Sequence, residues 1–315
     1  MKKTVILVIV LFILLIIFIF PGCLIQEKEM RHLLKQPFDL SPAHKIGDKD
    51  FYRIQTIYLE MDNTGKVAQT KVLEGYFSRE IQSLKEGIPA DNFSWKYVKK
   101  GLRKGKGKID KFSIMPYTRG FQYAFEEWTR DRFPVDLSTV PKTIEGWTFF
   151  VKLIDVHTFY VLADPRSHDK KLVHVGDSAC IRGEGMPIAI DFPPLFTDTY
   201  FENATTYITF RGITVYEEES CAILTFRSDD SRVHLVTNIQ NMRLPIEGVS
   251  YYHGEILLSL EDRKIVWGKI VERVDSVTNL IQSKTPLRHV TRREITLARM
   301  KKSEYDQIDM PKSLS

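Results

Sequence analysis

The chain has 315 residues, of which 43% are hydrophobic, 27% charged and 11% aromatic, and its formal net charge is +5. That apolar and aromatic content excludes a largely disordered chain, and so mild a charge excludes a dedicated nucleic-acid binder. The three cysteines form no Cys-x-x-Cys pair, which excludes zinc ribbons and thioredoxin-type redox chemistry.

The first element, residues 1–22, starts Met1-Lys2-Lys3 and runs through sixteen consecutive Leu, Ile, Val or Phe residues from Val5 to Phe20. As a helix, Thr4 to Phe20 spans roughly 25 Å, a little short of a ~30 Å hydrocarbon core. Its apolar side chains favour insertion by on the order of 5–10 kcal/mol. This is the pattern of a signal peptide or signal anchor. Lys2 and Lys3 favour the cytoplasmic side, so everything after residue 23 is expected outside the cytoplasm, attached to the membrane at its N-terminus.

Phe20-Pro21-Gly22-Cys23 resembles the lipobox of bacterial lipoproteins, matching it at Gly22 and Cys23 and departing from it at Phe20 and Pro21. The resemblance implies that Cys23 is lipidated and becomes the mature N-terminus; an uncleaved anchor and simple secretion are the alternatives. With Cys23 acylated, Cys180 and Cys221 are left as an even pair in a compartment that permits disulfides, and a Cys180–Cys221 bridge is expected, against two separately buried thiols.

Residues 23–50, charged and irregular with Pro37 and Pro42, read as a tether. The body is expected to be mainly β, a β-rich α+β fold of two curved antiparallel sheets or half-barrels with one minor helix. Its first lobe, 51–181, starts with a hairpin: Tyr52–Leu59 alternates, Asp62-Asn63-Thr64-Gly65 turns, and Lys66–Phe77 returns. Ser78–Leu84, Trp95–Val98 and Leu172–Val175 follow as strands, and Trp147–Leu162 as two strands. Phe121, Phe125, Trp128 and Phe133 recur near helical spacing and place the helix over Gly120–Phe133. Glycines and prolines from Arg182 to Leu195 mark the boundary with a second lobe, 195–300. There the strands are Thr205–Val215, Ser220–Phe226, Arg232–Thr237, Tyr251–Leu260, Lys264–Glu272 and Arg292–Leu297. Their hairpin ends are Glu217–Glu219, Ser228–Asp230 and Glu261–Asp262. Residues 301–315 form a polar tail.

Candidate chemistry is sparse. Gly176-Asp177-Ser178 looks like the nucleophile block of GDS-type esterases, but no Asp-x-x-His follows to supply an oriented base, so a polar turn is expected. Asp155 and His157 would share a strand face, with His168, His174, His234 and His253 elsewhere; no metalloprotease spacing occurs, and no metal or cofactor is expected. The densest charge feature is a basic surface loop of Lys99, Lys100, Arg103, Lys104, Lys106 and Lys108, suited to anionic headgroups or simply solvated. These features together point to a membrane-tethered, non-enzymatic module for an envelope protein or an apolar ligand such as lipid. The alternative is an extracytoplasmic hydrolase whose site no motif spacing reveals.

Overall fold

The computed structural model describes residues 35–308, apart from 63, 86–87, 105–108, 110, 126–134, 184–186, 240–241 and 279–285. The strands of the N-terminal half are β1 (Lys49–Met61), β2 (Val67–Lys85), β3 (Ile88–Lys104), β4 (Ser113–Ile114) and β5 (Gln122–Phe125). Helix α1 (Ile144–Ala163) follows, then β6 (Ser178–Ile181), β7 (Pro187–Ala189), β8 (Phe196–Glu202), β9 (Thr206–Tyr216) and β10 (Glu219–Ser228). Then come β11 (Ser231–Ile239), β12 (Met242–Ser259), β13 (Ile265–Thr278), β14 (Leu287–Met300) and the short helix α2 (Lys302–Gln307).

The mainly β, antiparallel expectation holds, and strands of both expected lobes are hydrogen-bonded into one 14-stranded sheet. Its main path runs β4-β3-β2-β1-β14-β13-β12-β10-β9-β6 and does not close. Two strand lines are interrupted: β10 and β11 pair in succession along β12, while β8 pairs with β11 and β9 with β10. Ser228–Asp230 is therefore a break within one line, not the expected hairpin end. Glu217 and Glu218 do form a hairpin end, both with positive φ, as do Glu261 and Asp262.

The largest departure is α1. Its segment reads as strands because it is rich in aromatic and β-branched residues and apolar nearly all round; such a run suits a buried helix equally well. Thr143 caps it by accepting from the Gly146 amide at 3.3 Å. Conversely, Gln122–Phe125 at the start of the expected helix is strand β5, paired with Asp91–Ser94. The rest of that segment lies outside the described residues. Leu172–Val175 is irregular, held by the Asp177 carboxylate rather than by a ladder.

α1 touches side chains from β3 (Phe149 on Trp95), β1 (Lys152 on Thr56), β14 (Asp155 on Arg293) and β8 (Trp147 on Phe196). Those strands lie within a run of eight, β3-β2-β1-β14-β13-β12-β11-β8. Laid flat at about 4.8 Å per strand the run would be roughly 34 Å wide, well beyond the reach of one helix of about 10–12 Å diameter. The sheet therefore wraps α1, and register breaks at Tyr76/Phe77, Ile81/Ser83, Ile223/Leu224 and Leu257/Leu258 supply bends.

Close approach of the helix needs an absent side chain at Gly268, where a Cβ would stand 2.7 Å from the Phe159 ring. Gly268→Val is expected to cost about 1–3 kcal/mol by overpacking, read as a lowered urea midpoint with an unchanged slope.

α2 lies on the opposite, outer face. Tyr305 packs with Phe51, Tyr76 and Tyr97, and the Lys96 ammonium donates to the carbonyls of Tyr305, Asp306 and Ile308 at the end of the helix. Within the expected polar tail, this segment is docked.

Candidate functional site

One face of α1 carries Thr148, Lys152 and Asp155, spaced four and three residues apart, in a helix that is apolar at most other positions. The sheet opposite presents a matching row. Lys71, Tyr58, Arg293, Glu272 and Tyr252 stand directly opposite one another across β2, β1, β14, β13 and β12. The next row, Leu73, Thr56, Ile295, Ile270 and Gly254, is apolar except at Thr56.

Helix and row interlock through hydrogen bonds. Lys71 Nζ donates to Thr148 Oγ1 at 2.9 Å, and Lys152 Nζ to Thr56 Oγ1 at 2.8 Å. Arg293 Nη1 reaches Asp155 Oδ1 at 3.1 Å, and Arg293 also grips Glu272, which accepts from Ser250 Oγ at 2.6 Å. Lys152 is fully enclosed and Asp155 is 3% exposed. Arg293 thus bridges two carboxylates, Asp155 and Glu272, while the Lys71 and Lys152 ammonium groups bond threonine hydroxyls.

Burial dominates their protonation. It pulls the Lys152 ammonium down to about 7 against the raising effect of Asp155. It pushes the Asp155 carboxyl up although Arg293 and Lys152 oppose it, and it pushes the Tyr58 phenol up to about 12. Groups displaced in opposite senses are the raw material of acid–base chemistry. Here, however, they are locked in mutual bonds beneath a helix, and the arrangement fixes the seating of α1 on the sheet.

A second buried polar group lies under the C-terminal half of α1. Arg79 bonds Asp91 at 2.8 Å and its guanidinium sits 4.2 Å from the Tyr160 ring centre. His157, two residues after Asp155, points to this group and not to Asp155, as helical geometry requires. Its Nε2 is 3.0 Å from the Tyr123 hydroxyl and its ring stacks on Phe125. Burial, helped by Arg79, holds the His157 imidazole well below its usual value.

The remaining residues singled out from sequence do not converge. Gly176 has φ +98°, and Asp177 Oδ2 accepts from the Val173 and His174 amides, so Gly176-Asp177-Ser178 is the polar turn expected; the Ser178 hydroxyl meets the Thr209 hydroxyl at 2.9 Å. His168 meets the Leu162 carbonyl, His234 meets Glu247, and His253 lies beside Tyr251. Among the described residues no three His, Cys, Asp or Glu are placed to hold a metal ion.

Cys180 and Cys221 are both free thiols, which corrects the expected bridge. Cys180 pairs with Tyr207 and Cys221 with Thr214, on opposite sides of β9 and seven residues apart along it. That is roughly 20 Å of strand, far beyond the ~7 Å Cα limit of a disulfide.

The expected basic loop is largely strand. Lys99, Lys100, Arg103 and Lys104 belong to β3; Lys99 pairs with Glu74 at 2.8 Å, Lys100 with Glu145, and Arg103 donates to Thr70 at 3.0 Å. Lys106 and Lys108 lie outside the described residues, as do Cys23 and the apolar N-terminal run. Among the described residues no helix is long and apolar enough to cross a membrane.

One crevice of about 510 Å³ opens beside the N-terminal half of α1. Leu137, Phe150, Ile190 and Phe192 supply its apolar wall, and Lys142 stands at its edge, 4.5 Å from the Phe192 ring centre. The neighbouring carboxylates are engaged by backbone: Asp136 accepts from Ser138 N and Asp191 from Thr199 N.

No family model and no curated protein matches the chain. A crystal structure of a candidate AttH protein from Nitrosomonas europaea is similar at 10% identity, over 79% of this chain and 92% of that chain, with a TM-score of 0.18. A likeness that slight carries no functional weight.

Proposed function

We propose that this chain is a membrane-tethered, extracytoplasmic binding module that takes a small apolar ligand in the crevice beside α1. The observation that carries the reading is the division of the molecule into a closed polar interior and an open, half-apolar crevice. The interior titratable groups are held in mutual bonds, whereas the crevice has the size of a small-ligand site, with Leu137 and Ile190 half-buried at its wall and Phe150 and Phe192 closed beneath them. Lys142 gives its rim one cation, suited to an apolar chain with an anionic head.

The tether rests on the sixteen-residue apolar run and on Cys23. Multiple acyl chains on Cys23 would hold the body stably, where one chain alone is marginal.

Native mass spectrometry of the full chain released from membranes is expected to show a retained acyl-chain ligand, lost in Ile190→Asp. Intact mass is expected to begin at an acylated Cys23. An empty wild-type protein, together with ester hydrolysis that disappears in Asp155→Asn, would replace the binding reading with the hydrolase. A mass starting at Met1 would replace lipidation with an uncleaved anchor.

A further inference from the structure

We draw no further inference here: the strongest candidate, the edge of β9 from Arg211 to Tyr216, lies beyond the reach of β6 among the described residues, and nothing in the structure shows what covers it.

Discussion

Arg293→Met is expected to lower the unfolding free energy by about 3–5 kcal/mol, the cost of breaking a buried ion pair from one side. Arg293 is the hub of the interior network: it holds Asp155 from the helix and Glu272 from the neighbouring strand. Methionine fills similar space, so the loss is electrostatic rather than a cavity. The pH dependence identifies the cause. Without the guanidinium the Asp155 carboxyl, which burial already pushes up, is protonated more readily folded than unfolded, so the folded state binds the extra proton. Its contribution is present at low pH and lost as pH rises through the raised folded value. The deficit of Arg293→Met should therefore be larger at pH 8 than at pH 4.5 in urea titrations. Adding Asp155→Asn should remove most of that difference. A deficit below about 1 kcal/mol at pH 8 would mean that the network does not seat the helix.

Lys152→Met is expected to act in the opposite direction. The Lys152 ammonium titrates at about 7 in the fold, against roughly 10.4 in an unfolded chain. Between those values the unfolded chain binds the proton and the fold does not, so wild-type stability rises with pH across that window. Below pH 7 the fold carries the full cost of a buried ammonium, offset in part by Asp155 and the bond to Thr56. Replacing it with an apolar chain of similar shape should raise stability at pH 6 by roughly 2–4 kcal/mol. The gain should shrink toward pH 10. Urea midpoints at pH 6, 8 and 9.5 would show it; an equal effect at all three would mean that Lys152 is not the titrating group.

The hairpin of β1 and β2 was legible because strict alternation and Asp62–Gly65 act over neighbouring residues. The same holds for β9, β10, β13 and the second half of β12 from Tyr251, whereas Met242–Ser250 of β12 was not read as strand. α1 was not legible in that way, since a helix surrounded by sheet has no polar face to set a period. The polar residues that look like interruptions of a strand, Lys152 and Asp155, are its contacts with the sheet. A signal for them does exist: Thr148, Lys152 and Asp155 repeat at four and three, the period of one helix face, and no strand places them together. Their partners could not be read at all, because Thr56 and Arg293 lie 96 and 138 residues away and no spacing rule links them. The free cysteines and the engaged Lys99 and Lys100 likewise depend on strand register, which local composition does not encode.

Among the described residues β1 is the first strand and β14 the last, yet they lie side by side, with Arg53 opposite Ala298. Synthesis from the N-terminus delivers them far apart in time. Until β14 emerges, β1 has an open flank, Arg293 is missing from Asp155, and the wrap around α1 lacks its central seam. Closure over such a separation is slow, because the chain entropy of the intervening loop is lost before the contact forms. The topology thus postpones completion of the sheet around α1 to the final described strand.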